Sequence, residues 1–212
     1  MSWEALKLWA DEEQKIQSCL KEALQQLIEA NVMCTTDEEK VITGKLRPHI
    51  NLLKKEKGLI GILQPEASVF AKEDDPDPCG HPDLRFSWID CMGEDYHYDV
   101  ECKLVRVERP DTETDYCYNY VKKGILRYQT RKYAQSFPPM GTMLGYVQEG
   151  GLDFLLVTIN EKITFQQQKH YPRLKPITLT GAFQNRGVSS LTQPIHRDTA
   201  EFVLLHVWAD VR

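Results

Sequence analysis

The chain has 212 residues, of which 42% are hydrophobic and 27% are charged, and its formal net charge is −5 at pH 7. This size predicts one ordinary domain, or one core domain with a helical arm, and the acidic balance excludes a generally basic nucleic-acid coat. Six cysteines without a CxxC pair argue against a zinc ribbon and a disulfide scaffold, and the absence of a signal peptide or a long apolar run predicts a cytoplasmic chain with no membrane segment.

The first predicted element is a helix over residues 3–31, in which apolar residues recur at helical spacing. It either packs on the core or forms an arm that docks on a partner, because Trp3 and Trp9 lie far upstream of the predicted core. We therefore separate residues 1–34, a candidate docking arm, from a main domain at 35–212.

A second helix is predicted from the N-cap candidates Thr35, Thr36 and Asp37 to about Lys57, with Pro48 as a candidate kink. Further along the chain, strands and helices alternate irregularly. Strands are predicted at 84–89, 96–107, 142–147, 177–183, 187–196 and 201–207, a helix at 116–134, and an ambiguous apolar segment at 152–165. The order indicates an α/β fold, with a mixed central β-sheet flanked by helices.

The predicted strand 96–107 carries the most informative residues. Side chains two apart on a strand point to the same face, so Glu101 and Lys103 project together with Asp99 beside them. The alternate residues between them point into the core. If the hairpin turn centres near Gly93, Asp83 falls opposite Lys103, and the three charged groups converge.

This grouping suits a hard cation. Asp83 and Glu101 would each supply a carboxylate oxygen to Mg²⁺, for which Mn²⁺ is an acceptable substitute, and the backbone carbonyl of Cys102 is the third expected ligand. Lys103, held protonated by the carboxylates, would orient the attacking water and offset charge on the phosphate.

The pattern Pro82-Asp83 followed by Glu101-x-Lys103, in GHPDLRFSW…YHYDVECKLV, resembles the core hairpin of the PD-(D/E)xK nuclease superfamily, which includes many restriction endonucleases. The resemblance covers residues 35–208, but only the hairpin is specific. It implies a restriction-endonuclease-like core. Many members carry a further glutamate on the first core helix, for which Glu39 is the candidate and Glu38 the fallback. A first-turn acid that complements the helix dipole is the alternative role for Glu39.

The segment Tyr120–Tyr146 also resembles a piece of the bacterial defence nucleases of this superfamily. Lys123, Arg127 and Arg131 recur at intervals of four residues and form a candidate stripe for backbone phosphates. A solvated helix face is the alternative.

The resemblance therefore predicts an Mg²⁺-dependent endonuclease that acts on DNA within an antiviral or restriction defence system. The chain has no GxxxxGK[ST] or GxGxxG loop, so a protein partner is expected to supply ATPase, motor or recognition functions. A homodimer is expected because double-strand cleavage needs two active sites. One alternative is a catalytically silent nuclease-fold subunit that binds nucleic acid or holds a larger complex together. Another is an enzyme of the same fold directed at RNA or nucleotides.

Overall fold

The computed structural model describes residues 3–66, 80–89, 93, 95–107, 114–130, 132–134, 139–181, 187–197 and 201–212, with side chains from residue 7 onward. The helices are α1 (Trp3–Glu29), α2 (Glu39–Glu56), α3 (Tyr116–Asn119), α4 (Leu126–Gln129) and α5 (Leu152–Lys169), and a π-helical turn (Tyr120–Ile125) joins α3 to α4. The strands are β1 (Ile62–Pro65), β2 (Leu84–Ile89), β3 (Asp95–Val105), β4 (Gly141–Val147), β5 (Thr178–Leu179), β6 (Val188–His196) and β7 (Glu201–Asp210).

The strands form one seven-stranded sheet in the order β1-β2-β3-β4-β7-β6-β5. The central pairs β3–β4 and β4–β7 are parallel, and the four outer pairs are antiparallel. Every residue of β4 is buried, as expected for a parallel strand covered on both faces. The predicted α/β class with a mixed, helix-flanked sheet is therefore confirmed.

Helices cover the two faces of the sheet separately. On one face, Tyr98, Val100 and Cys102 of β3 pack in a cluster with α1 and α2. On the other face, Met143 and Val147 of β4 pack with α3, α4 and α5. The site residues of β3 lie between these two layers.

Helix α1 contributes to the first of these clusters along most of its length. Ile16, Leu20, Leu24 and Leu27 are fully buried there. This packing agrees with the first alternative for residues 3–31, a helix that packs on the core. Docking of this helix on a partner stays a prediction. The side chain of Trp3 lies outside the described residues. No helix in the described ranges is long and apolar enough to cross a membrane.

Two predicted helix boundaries are wrong. Helix α2 begins at Glu39 with Glu38 at its N-cap, and not with Thr35, Thr36 or Asp37 there. The Asp37 carboxylate instead accepts hydrogen bonds from the Cys34 N–H in the preceding turn (2.9 Å) and from Lys45 Nζ of α2 (2.7 Å). The helix predicted to reach Ala134 ends at Gln129. Ala134 itself has φ = 52°, which no right-handed helix contains.

Candidate active site

The candidate site lies where β3 extends beyond the first residue of its antiparallel neighbour β2. Leu84 is the first residue of β2 and pairs with Val100, whereas β3 runs on to Val105. Two backbone N–H groups of β3 are bound by side chains at this point. Asp83 Oδ2 accepts from Cys102 N at 2.6 Å, and Glu39 Oε2 accepts from Leu104 N at 3.2 Å. Beyond the residues that pair with β2, the carboxylates of Asp83 and Glu39 thus accept the hydrogen bonds of β3 that a neighbouring strand would otherwise accept.

The predicted hairpin register is wrong by two residues. Because Leu84 pairs with Val100, the position opposite Asp83 is that of Glu101 and not that of Lys103. A shift of two residues preserves the faces of a strand, whereas a shift of one would have reversed them. The structure therefore still brings Asp83, Glu101 and Lys103 together.

The Lys103 ammonium lies at the centre of this group of oxygens. Its Nζ is 2.7 Å from Glu101 Oε1, 3.0 Å from Glu39 Oε1 and 3.8 Å from Asp83 Oδ2. It also donates to the Cys102 carbonyl at 2.5 Å. Burial alone lowers the pKa of Lys103, but Glu101, Glu39 and Asp83 outweigh burial and hold that pKa above its usual value. Lys103 is therefore a cation and not a base.

Glu101 is the most buried carboxylate of the group, with 1% of its side chain exposed. Its Oε1 accepts from Arg127 Nη1 at 2.7 Å in addition to Lys103, while its Oε2 is buried without a hydrogen-bond partner. The pKa of Glu101 is raised to about 7, because burial and the charge of Asp83 raise it by more than Lys103 and Arg127 lower it. A buried carboxylate oxygen without a partner is uncommon, and this one is free to accept a hydrogen bond from water or to bind a cation.

Glu39 reaches the group from the first residue of α2. Burial raises its pKa, Lys103 lowers it and Asp83 raises it. Its carboxylate binds β3 directly, so it does more than complement the helix dipole. Glu38, the fallback residue, is exposed at the N-cap position. A cavity of about 180 Å³ opens beside Glu39 and Asp83 and gives solvent a way to the site.

Tyr133 joins the segment before Asp83 to the helical segment. Its hydroxyl donates to the His81 carbonyl at 2.7 Å and accepts from Arg127 Nη1 at 2.5 Å. Gly80 passes so close to the ring that an added Cβ would lie 2.8 Å from Tyr133 Cε1. These contacts fix the path of residues 80–82 and hence the position of Asp83. Sequence spacing gave no signal for this role.

Asp99 shares the strand face of Glu101 but takes no part in the site. Its carboxylate is fully buried and accepts from Arg85 Nε at 2.7 Å and from the Ala134 N–H at 2.8 Å. Arg197 binds the carbonyls of Tyr128, Tyr133 and Ala134 at 2.8 Å each. Both residues hold the turn after α4 and contact no site residue in these bonds.

The predicted phosphate stripe is divided in the structure. Lys123 is exposed on the π-helical turn, whereas Arg127 points inward to Glu101. Arg131 lies outside the described residues. The i, i+4 alignment assumed an unbroken α-helix, and a π-helical turn rotates successive residues differently. Its Gly124 lies close to Met143 and Lys103, where an added Cβ would collide with Met143.

The oxygen ligands at the candidate site are of the kind that a divalent metal ion prefers, but their present positions do not form a metal-binding cluster. Within the described ranges, three or more His, Cys, Asp or Glu side chains do not converge on one point as metal ligands. Lys103 occupies the centre that Asp83, Glu101 and the Cys102 carbonyl surround. These ligands are all oxygens, as Mg²⁺ prefers, and Glu101 Oε2 has no other partner.

Comparison with protein-family models, with curated proteins and with solved structures finds no match for this chain. The relationship to the PD-(D/E)xK superfamily therefore stays a prediction, supported by the hairpin residues and their arrangement.

Proposed function

We propose that this chain is an Mg²⁺-dependent endonuclease that hydrolyses phosphodiester bonds of DNA. The observation that supports this most is the convergence of Asp83, Glu101, Glu39 and Lys103 at the point where β2 begins beside β3. The group combines oxygen ligands for a hard cation with a permanent positive charge, and both are needed at a phosphate whose charge increases in the transition state.

The charge balance of the group favours a bound cation. Three carboxylates, those of Asp83, Glu101 and Glu39, face the single ammonium of Lys103, and Arg127 reaches only one of them. Buried charges are costly unless they are paired, and the raised pKa of Glu101 expresses that cost. A divalent ion would compensate the excess negative charge and give Glu101 Oε2 a partner.

In the proposed mechanism Asp83, Glu101 and the Cys102 carbonyl hold the metal, with Glu39 beside them. When bound, Mg²⁺ polarises the phosphate and lowers the pKa of a coordinated water. Lys103 leaves the Cys102 carbonyl, stays protonated, and orients the attacking water while it offsets charge on the phosphate oxygens. Arg127 lies on the side of the helical segment, where it can exchange Glu101 for a substrate phosphate.

The cellular setting is part of the proposal. A role as the nuclease subunit of a cytoplasmic antiviral or restriction system follows from the resemblance of the hairpin. A partner with ATPase, motor or recognition activity is proposed because this sequence contains no nucleotide-binding loop, and a homodimer because double-strand cleavage needs two active sites.

A cleavage assay tests the activity. Linear, supercoiled and single-stranded DNA are incubated with Mg²⁺ or Mn²⁺ and the wild type, Lys103→Ala or Lys55→Ala. We expect cutting by the wild type, loss of cutting in Lys103→Ala, and retained strand scission in Lys55→Ala, which removes the same charge from an exposed position on α2 outside the oxygen cluster. Cutting that survives in Lys103→Ala would contradict the assignment of the site.

A second candidate function is that of a catalytically silent subunit with the same fold. The observation in its favour is the position of Lys103, whose ammonium binds Glu101 Oε1, Glu39 Oε1 and the Cys102 carbonyl and so occupies the centre of the group. Under this alternative Mg²⁺ leaves the thermal stability unchanged while DNA still binds.

A further inference from the structure

A groove runs between the π-helical turn with α4 on one side and the C-terminal end of α5 on the other. It has a volume of about 650 Å³. Lys122, Lys123 and Lys132 are exposed on the first wall, and Lys169 with His170 on the second. We call this feature the basic groove.

The charge of the basic groove is opposite to that of the whole chain. Of its twelve lining residues in the described part of the chain, five are lysines or arginines and none is an aspartate or glutamate. The chain as a whole has 26 basic and 31 acidic residues. A local excess of cations on an acidic protein concentrates positive potential where a polyanion can follow it.

Aromatic rings lie among these cations on both walls. Lys122 Nζ is 5.4 Å from the ring centroid of Tyr118, and Lys169 Nζ is 4.1 Å from that of Phe165. Phe165 is 45% exposed although it is a large apolar residue. Alternating cations and accessible rings are the pattern that binds an unpaired strand, because bases stack on the rings while the cations follow the phosphates. A duplex keeps its bases paired and uses only the cations.

The basic groove adjoins a second groove and the candidate active site. Thr130, His170 and Tyr171 also line a neighbouring groove of about 430 Å³, whose described lining residues include no acid. Arg127 lines the basic groove and donates to Glu101. A strand in the groove would therefore present a phosphate to Arg127, next to the oxygen cluster.

We propose that the basic groove between the π-helical turn and the end of α5 binds a single, unpaired strand of nucleic acid and leads it to the candidate active site. The inference rests on the proposed function only for what happens at Glu101, and binding in the groove stands independently of cleavage. The substrate class it names is single-stranded nucleic acid, or a duplex with an unpaired segment.

The test is fluorescence anisotropy in EDTA, so that cleavage does not contribute. A labelled mixed-sequence DNA strand of about 20 nucleotides, its RNA equivalent, its DNA duplex and polyglutamate are titrated against the full chain. We expect single strands to bind at least about tenfold more tightly than the duplex. Phe165→Leu, which keeps apolar bulk but removes the ring, should weaken single-strand binding about tenfold and leave duplex binding unchanged.

The lysines are tested by the salt dependence of binding. Lys123→Ala/Lys169→Ala should reduce the slope of log K against log salt by about 1.4 for a single strand, which corresponds to two phosphate contacts. The matched control is Lys7→Ala/Lys55→Ala, which removes two exposed lysines from α1 and α2 on the opposite face of the sheet. Circular dichroism melts show whether each variant is folded.

Three results would overturn the inference: a duplex bound as tightly as the single strand, folded groove variants that bind like the wild type, or polyglutamate bound as tightly as DNA. The last result would assign the groove to an acidic protein partner. Loss of single-strand binding in the variants of a chain that cuts no DNA would support the groove and refute the nuclease proposal. DNA cutting by the wild type, together with unchanged single-strand binding in the groove variants, would support the nuclease proposal and refute the groove.

Discussion

Arg127 and Lys103 bind the same oxygen atom, Oε1 of Glu101, and each lies 2.7 Å from it. One cation comes from the helical segment and the other from β3 itself, so Glu101 ties the two elements together. The second oxygen of Glu101 has no hydrogen-bond partner. The carboxylate is thus buried with both cations bound to one of its oxygens and no hydrogen-bond partner at the other.

Glu101 should make the stability of the protein depend on pH. Its pKa rises from an ordinary 4.5 to about 7 on folding. The folded state therefore binds the proton more tightly than the unfolded state, and ionisation penalises folding. This reduction in the free energy of unfolding is absent below pH 4.5, grows as the pH rises to 7, and then stays constant at about 3 kcal/mol.

Urea denaturation at several pH values measures this effect. We expect the stability of Glu101→Gln relative to the wild type to increase by about 3 kcal/mol between pH 4.5 and pH 8, because the amide cannot ionise. Glu56→Gln at the exposed end of α2 is the matched control, and its curve should run parallel to that of the wild type. A constant difference between Glu101→Gln and the wild type across this range would contradict the assigned pKa.

Mg²⁺ should stabilise the protein, and more so at high pH. For a dissociation constant on the order of 1 mM, about 10 mM Mg²⁺ contributes about 1.4 kcal/mol, or about 3–6 °C in Tm. The shift should be larger at pH 8 than at pH 5.5, because protonated Glu101 is a poor ligand. Differential scanning fluorimetry with NaCl of equal ionic strength as the reference measures it.

Two variants test whether the Mg²⁺-dependent rise in Tm comes from binding at Glu101. Glu101→Gln should abolish the Mg²⁺ shift, whereas Asp11→Asn, which removes an exposed carboxylate of α1, should retain it. An Mg²⁺ shift of equal size in Glu101→Gln would place the metal elsewhere. No shift in the wild type at either pH would favour the silent subunit.

The hairpin could be predicted from sequence, but its register could not. With the predicted register Arg85 faces Glu101, and with the observed register it faces Asp99, so both pair opposite charges. Phe86 likewise meets an apolar partner in either case, Val100 or Tyr98. The centre of the turn differs by one residue between the predicted and observed registers. The alternation of apolar and polar side chains cannot distinguish the two registers, because each side chain keeps its face of the strand.

The residues brought from distant elements were harder to predict. The first-turn position of Glu39 beside an apolar stripe indicated a role, and the structure places it on Lys103 and Leu104. The inward turn of Arg127 depends on the π-helical turn and on the end of the helix at Gln129. Helical periodicity carries no signal for either feature, because both are determined by packing against β3 and by the bonds of Arg197.

The buried pair of Arg85 and Asp99 should be important for stability and irrelevant to chemistry. Removing Arg85 leaves the buried Asp99 carboxylate without its cation, so Arg85→Met should lower the free energy of unfolding by about 3–5 kcal/mol. Arg85→Met/Asp99→Asn should recover part of that loss because no unpaired charge remains. Where folded, both variants should keep the Mg²⁺ shift. Loss of that shift in a folded variant would place Asp99 in the metal site.

Helix α1 gives the last prediction, which separates a core helix from a docking arm. Leu24 is fully buried in the cluster that α1 shares with α2 and the sheet, so Leu24→Ala should lower the free energy of unfolding by about 2–5 kcal/mol. Leu8→Ala, the same change at a residue that is 37% exposed, is the control and should cost much less. Urea denaturation of the isolated chain measures both. If Leu24→Ala unfolded like the wild type, α1 would not be part of the core, and its apolar face would be free for a partner.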